Sequence, residues 1–237
     1  MKIMVWNILA SEWIKKSDYP NITKKTLFNR TTRIRTILDY ILKIDADIIL
    51  LQEVMKMEYK LMYNKLKQKY MITPLLPIEW MYPNEYNEDN ESGNITFIRK
   101  GLYPGNATHT KLDFGIHTTI SNVSIVNLHL DDWSSQSRHK QLKSIDSLLY
   151  KSDKCIVGGD FNQPYSKKSK LYSLPYFTVH NTKCPTYYIE TVTNIDNILT
   201  RGYNSMKSYC NLNISNVSED IFTQYGSDHL PFICDVK

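Results

Sequence analysis

Short apolar runs of strand length recur along this chain, and nearly every one of them ends in polar or ionisable residues. KIMVW runs into Asn7, and DIILL runs into Gln52 and Glu53; VSIVNL runs into His129, with Asp131 and Asp132 just beyond; CIVGG runs into Asp160, with Asn162 two residues on. Runs this short are read as buried strands rather than independent helices. A rigid strand that stops in polar side chains presents them to solvent at a fixed place. The pattern therefore favours a fold in which several strand ends meet.

Helical periods lie between these runs. Residues 26–44 carry Ile34, Ile37, Leu38, Ile41 and Leu42 on one face, as a helix packed on a sheet requires. Residues 55–69 place Tyr59, Met62, Tyr63 and Leu66 on one side, and residues 135–151 turn Leu142, Ile145, Leu148 and Leu149 inward. Strand patterns are expected at 2–8, 94–99, 116–120, 123–130, 154–159, 195–200 and 231–236. Two early helix–strand alternations followed by a strand-rich middle predict an α/β chain of mixed sheets with helices outside them. No repeat or low-complexity linker divides the chain, so residues 1–237 are expected to form one domain.

Residues 77–93 have no clear period and are read as a loop. Its Trp80, Tyr82 and Tyr86 could stack on bases, whereas Glu79, Glu85, Glu88 and Asp89 would repel a phosphate chain. Lys167, Lys168 and Lys170 suit either a phosphate backbone or a solvated charged turn.

Composition sets outer bounds. With 42% hydrophobic and 22% charged residues the chain can bury a core, which argues against disorder. A net charge of +5 and a pI near 8.8 tolerate a polyanionic partner without demanding one. The cysteines (Cys155, Cys184, Cys210, Cys234) are far apart and form no CxxC pair, so free thiols in a reducing compartment are expected rather than zinc or disulfides. The opening apolar stretch breaks at Asn7, too early for a signal peptide or a membrane span. An intracellular protein, cytoplasmic or nuclear, monomeric and without a membrane partner, is the expectation. On that reading the sequons at Asn94 and Asn106 are chance products of an Asn-rich composition.

The polar strand ends supply what phosphate-ester hydrolysis needs: oxygen donors for a hard cation, and groups to activate water. Taken singly, each has a plainer reading. A Glu after a strand is usually solvated, Gly158-Gly159-Asp160 reads as a tight turn with an Asx cap, and Asp228-His229 reads as a surface pair.

Together they say more. WNIL, LLQEV, NLHL, GGDFN, IDNIL and GSDHLP stand in one order from Met4 to Pro231, and in this the chain resembles the endonuclease/exonuclease/phosphatase (DNase I-like) superfamily. The resemblance implies a four-layer α/β sandwich, two mixed β-sheets packed face to face with helices outside. It also implies a magnesium-dependent phosphodiesterase, with manganese able to take the metal's place. In this likeness Glu53 is the principal metal ligand, with Asn7 and Asp228 beside the metal. Asp160 orients or deprotonates the attacking water, and Asn162 holds that water or a phosphate oxygen. His229 contacts the scissile phosphate with Asp196 fixing its tautomer, and His129 is a second phosphate contact. His109, His117, His139 and His180 match no motif and are read as structural or exposed.

The branch is narrowed by local likeness. NLHL stands where AP endonucleases carry a Tyr-containing motif, which disfavours that branch. MVWNILASEW and GGDFNQPYSKKSKLY resemble nocturnin, Angel proteins and carbon-catabolite-repressor-type deadenylases, although those catalytic domains are longer. HLDDWSSQSRHKQ is also similar to tyrosyl-DNA phosphodiesterases, and it offers Arg138 as a phosphate contact. The resemblance thus implies a nuclease on nucleic acid, RNA favoured over DNA. An alternative is a phosphodiesterase or phosphatase on a small or protein-linked substrate: a 5′-tyrosyl-DNA adduct, a nucleotide second messenger or a phosphoinositide. A non-catalytic copy of the fold is disfavoured, because Glu53, Asp160, Asn162, Asp196 and His229 are all retained.

Overall fold

The computed structural model describes residues 1–14, 17, 28–77, 92–164, 174, 176–180, 185–187, 193–210 and 224–237. The chain runs β1 (Lys2–Asn7), α1 (Arg30–Ile44), β2 (Ile48–Met55), α2 (Lys56–Leu66), β3 (Tyr70–Ile72), β4 (Leu76–Pro77), β5 (Ser92–Arg99), β6 (Ala107–Leu112), β7 (Gly115–Ile120) and β8 (Val123–His129). It continues through α3 (Ser135–Leu149), β9 (Lys154–Asp160), β10 (Thr178–His180), β11 (Asp196–Arg201), β12 (Ser205–Cys210) and β13 (Phe232–Val236). One sheet has the order β12-β13-β1-β2-β5-β3, with β4 also paired to β5; the other has the order β10-β11-β9-β8-β7-β6. Each is mixed. Its central pair is parallel, β1 with β2 and β8 with β9, and in each case a helix, α1 or α3, makes the crossover that a parallel pair needs.

Strand alternation sets the layers. Ile3 and Val5 of β1, Ile48 and Leu50 of β2, Val123 and Ile125 of β8, and Ile156 of β9 join one cluster between the sheets. Their neighbours face outward. Met4, Trp6, Ile49 and Leu51 pack with Ile34, Ile37 and Ile41 of α1 and Met62 and Leu66 of α2. Val126, Leu128, Cys155 and Val157 pack with Leu142, Ile145 and Leu149 of α3. Each fully buried aliphatic side chain contributes on the order of 1.5–3 kcal/mol relative to exposure. The result is the expected four-layer sandwich, helices outside two facing sheets.

Several expectations need adjusting. Helix α1 starts at Arg30 because Asn29 is extended and accepts a hydrogen bond from the Thr32 N–H at 3.0 Å, which caps the helix. Leu42 and Leu148 are exposed at 37% and 39%, at the margins of their helical stripes, and Tyr63 is exposed at 41%. Edge strand β6 escapes the sequence pattern because ATHTKL is largely exposed and has no apolar alternation. Gly158 and Gly159 belong to β9 and not to a turn. Cys155, Cys210 and Cys234 are buried thiols outside any disulfide. Cys184, the aromatic and acidic side chains of the 77–93 stretch, and Lys167, Lys168 and Lys170 lie outside the described residues. Among the described residues no helix is long and apolar enough to cross a membrane.

Candidate functional site

The apolar face between the sheets turns polar at one rim, and the period of two decides which residues appear there. In β1 the series Ile3, Val5 continues to Asn7; in β2 Ile48, Leu50 continues to Gln52; in β8 Val123, Ile125 continues to Asn127 and His129; in β9 Ile156, Gly158 continues to Asp160. Asp196 opens β11 directly opposite Asp160, so the antiparallel partner delivers its carboxylate to the same rim. These are the carboxyl ends of both central parallel pairs, where open α/β sheets gather their chemistry.

Glu53 breaks the parity, and the backbone accommodates it. Between Leu51 and Val54 the β2–β5 register shifts, and Glu53 takes a left-handed φ of 57°. Such a bulge re-aims a side chain that would otherwise point to the helical layer. The gap below it is closed by Asn127, whose amide donates to the Leu51 carbonyl at 3.1 Å and the Ile95 carbonyl at 2.9 Å while accepting from Gln52 Nε2 at 2.7 Å.

The contacts around the rim form one network. Asn7 Nδ2 donates to Glu53 Oε1 at 2.7 Å and to Asp160 Oδ2 at 3.1 Å, and the Leu9 N–H donates to Asn7 Oδ1 at 3.0 Å. The Ala10 N–H donates to Glu53 Oε2 at 2.9 Å. The Asn162 N–H donates to Asp160 Oδ1 at 2.8 Å, the expected Asx bond, and Asn162 Nδ2 donates to the Leu130 carbonyl at 2.8 Å, tying the ends of β8 and β9. His229 Nδ1 lies 2.8 Å from Asp196 Oδ2. The Nε2 atoms of His129 and His229 each stand 3.7 Å from Asp160 Oδ2, too far for a hydrogen bond. Asp228 is held through Ser227, whose hydroxyl also donates to the Asn7 carbonyl at 2.8 Å and accepts from the His229 N–H at 3.1 Å.

Eight of the nine predicted residues thus gather at one rim: Asn7, Glu53, His129, Asp160, Asn162, Asp196, Asp228 and His229. Arg138 stands apart from the carboxylates. Its guanidinium donates to the carbonyls of Asp131 at 2.7 Å and Asp132 at 3.2 Å, and to Gln163 Oε1 at 3.4 Å, so it braces the turn that follows β8. Four supporting residues were missed. Arg33 and Glu58 sit on the apolar stripes of their helices, a signal that was available. Ser227 stood in view inside GSDH. Thr186, whose hydroxyl accepts from the Ile195 and Asp196 N–H groups at 3.2 and 3.0 Å, carried no pattern at all.

Charge is unbalanced here. Burial alone would push the His229 imidazole down, but the Asp196 carboxylate, with Asp160 and Asp228 behind it, raises it to about 10. Burial pushes Asp196 up, and protonated His229 pulls it back; we assign an ionised Asp196 beside an imidazolium, since the Asp196 charge is the largest influence raising His229. Asp228 is pushed up to about 6, first by burial and then, against the pull of His229, by Glu53 and Asp160. Four buried carboxylates (Glu53, Asp160, Asp196, Asp228) face one strongly basic imidazole. A divalent cation fits that excess, and oxygen donors suit a hard one. Asp160, Asp196 and His229 bring ligand atoms within 4.8 Å of one another, but an imidazolium held by Asp196 through Nδ1 has no lone pair to offer a cation. Glu53 and Asp160, with Asn7 between them and Asp228 adjacent, fit the ion better. Each Glu53 oxygen accepts one N–H and keeps a lone pair for it.

Residues 4–229 match the profile of the Endonuclease/Exonuclease/phosphatase family. No curated protein sequence matches the chain at a significant level. Among solved structures, the fold is similar to the human nocturnin catalytic domain with bound sulfate (TM-score 0.67, 19% identity, 100% of this chain and 93% of that one). It is also similar to ANGEL2, a 2′,3′-cyclic phosphatase (TM-score 0.72, 14% identity, 99% and 94%). A third likeness is TDP2 of D. rerio complexed with a single-strand DNA product (TM-score 0.65, 15% identity, 100% and 98%).

Proposed function

The chain belongs to the endonuclease/exonuclease/phosphatase family, hydrolases of phosphodiester and phosphate bonds, and from that premise we propose a magnesium-dependent phosphodiesterase acting on nucleic acid, RNA in preference to DNA, with residues 1–237 as one catalytic unit. The observation that carries the reading is Asp160 Oδ2 with two imidazole Nε2 atoms at 3.7 Å each and Asn7 Nδ2 bridging it to Glu53. A phosphoryl group seated there meets a hydrogen-bond donor on each of two faces and a carboxylate on a third.

Glu53, with Asn7 and Asp228 beside it, would hold the magnesium or manganese ion, which when bound neutralises charge on the phosphoryl oxygens. Asp160 is fixed by bonds from Asn7 and from the Asn162 N–H, and it would orient the attacking water and take its proton. His229, charged through Asp196, would donate from Nε2 to a phosphoryl oxygen, and that bond strengthens as charge builds in the transition state. His129 would make the second such contact, and Asn162 would hold the water or a phosphate oxygen. Arg138 would serve the substrate through the turn it braces. That turn carries Trp133, 90% exposed and four residues beyond His129, a surface on which an unpaired base can stack. The lean towards RNA rests on the resemblance of MVWNILASEW and GGDFNQPYSKKSKLY to the nocturnin, Angel and carbon-catabolite-repressor-type branch.

A panel with magnesium tests this: mixed and poly(A) RNA, RNA ending in a 2′,3′-cyclic phosphate, single- and double-stranded DNA, a 5′-tyrosyl oligonucleotide and an inositol phosphate. Single-stranded RNA is expected to be cleaved fastest, with Glu53→Ala and His229→Ala nearly inactive. Cleavage of nothing by the wild type would end the enzyme reading, and preference for the tyrosyl, cyclic or inositol substrate would replace the RNA one.

A further inference from the structure

Arg33 does not belong to the rim, yet it bonds directly to two of the chain segments that carry it. It lies in the first turns of α1 with its side chain fully buried. Nη1 donates to the Ile8 carbonyl and, at 3.1 Å, to the Gly226 carbonyl. Nη2 donates to Ser11 Oγ at 2.6 Å and to Glu58 Oε1 at 2.8 Å, and Ser11 Oγ donates in turn to Glu58 at 2.5 Å. Glu58 Oε2 accepts the Met55 N–H at 3.3 Å, which ties the start of α2 to the end of β2.

These acceptors are not scattered. Ile8 follows Asn7 directly, and the segment from Ile8 to Ser11 contains the Ala10 N–H that holds Glu53. Gly226 precedes Ser227, Asp228 and His229, and its φ of +73° places the turn against α1, where a Cβ would meet Arg33 Cγ at 2.9 Å. The Glu58 pair ends at Met55, two residues beyond the Glu53 bulge. One planar guanidinium thus holds three segments, each carrying a member of the rim. Asp228 and Glu53 stand close enough to act on Arg33 electrostatically, pulling its guanidinium back up against the fall that burial imposes.

We propose that Arg33 is a positioning residue for the site: with Glu58 it locks the Ile8–Ser11 segment, the Gly226 turn and the β2 bulge into one register, and the placing of Glu53, Asp228 and His229 depends on it. This rests on the phosphodiesterase reading for its metal-binding consequence but not for its geometric one. A lysine offers a point charge and three donors on one atom, and cannot span acceptors that the guanidinium fork reaches from two.

The test pairs Arg33→Met/Glu58→Met with Arg33→Lys in the full chain. Replacing a buried ion pair by apolar side chains of similar volume leaves many proteins as stable as before, so the double variant separates holding the fold from holding the site. Three readouts are taken: the melting temperature, the low-field NMR signal of the His229 Nδ1–H bonded to Asp196, and Mn2+ affinity by calorimetry. The double variant is expected to melt near the wild type, lose or shift the low-field signal, and bind Mn2+ about ten-fold or more weakly, the usual effect of removing an outer-shell partner. A double variant with wild-type melting, signal and affinity would overturn the proposal. If that variant fails to fold, Arg33→Lys decides: it is expected to show the same losses, and wild-type signal and affinity would overturn the proposal equally. If the wild type itself binds no Mn2+ and cleaves no phosphodiester, the functional reading fails, and the low-field signal still decides the role of Arg33.

Discussion

His229 and Asp196 meet at 2.8 Å in a fully buried pair, with the other imidazole nitrogen of His229 facing Asp160. The bond fixes both the tautomer and the charge of the ring. Asp196→Asn keeps the shape and removes the charge. Without that carboxylate, burial lowers the imidazole from its present value of about 10 against only the weaker pull of Asp160 and Asp228. On the proposed mechanism His229 acts in its protonated form, so activity should be retained below its pKa and lost as pH rises through it. The variant should lose kcat on the order of 10²-fold at neutral pH, and its basic limb should move to lower pH. An unmoved basic limb in the pH–rate profile would show that the charge of His229 does not limit the reaction.

Asp228 gives a stability prediction of opposite character. Its folded pKa of about 6 lies above the ordinary 3.8, so the native state holds a proton that the unfolded state has released. Stability therefore falls as pH rises from 3.8 to 6. The shift amounts to at most about 3 kcal/mol. In the presence of a chelator, Asp228→Asn should be more stable than the wild type at pH 7 and no different at pH 4, measured by urea unfolding. Excess magnesium should narrow the gap at pH 7 by stabilising the wild type. Equal stabilities at pH 7 in chelator would show that this carboxylate is not strained by its neighbours.

The two glycines of GGDFN have separate reasons. A Cβ on Gly158 would meet Leu50 Cδ1 and Val5 Cγ2 at 2.8 Å, side chains of the opposite sheet. A Cβ on Gly159, at φ +148°, would meet the Leu128 carbonyl oxygen at 1.8 Å. Gly158→Ala should fold with a loss of about 1–3 kcal/mol, since the facing side chains can shift. Gly159→Ala should not give a cooperative urea transition, because backbone on the paired strand cannot. Comparable transitions for both variants would sink this account.

These glycines show where the sequence was legible and where it was not. The residues at the strand ends could be found because period two is visible in the chain, and Ile3-Val5-Asn7 or Ile156-Gly158-Asp160 announce their own face. The close approach of the two sheets at Gly158 is a contact between residues more than a hundred positions apart in the chain, and no local pattern encodes it. The bulge that turns Glu53 inward is equally silent, since it depends on the register of β5. Arg33 and Glu58 were half legible. Arg33, Ile37 and Ile41 form one buried stripe of α1, and Glu58, Met62 and Leu66 form that of α2. Opposite charges at the head of two apolar stripes need each other once both helices lie on the same sheet, but the sequence does not say that they do. Thr186 supports Asp196 from a segment with no periodicity, and there sequence reasoning had nothing to use.

The turn after β8 carries the last prediction. Asp131 Oδ1 accepts the N–H groups of Trp133 at 2.9 Å and Ser134 at 2.7 Å, the Asp131 N–H donates to Gln141 Oε1 at 3.1 Å, and Arg138 holds the carbonyls of Asp131 and Asp132. A turn braced on every side displays an indole that is 90% exposed, four residues beyond His129. Trp133→Ala removes almost no buried surface, so its melting temperature should match the wild type. If the indole stacks on a base next to the scissile phosphate, the variant should lose about 1–3 kcal/mol of binding, read as a rise in KM for single-stranded RNA with kcat little changed. An abasic strand of the same length should bind wild type and variant alike, and Trp133→Phe should recover most of the loss. A KM that rises equally for the abasic strand would assign the effect to the phosphate backbone and leave Trp133 without a stacking role.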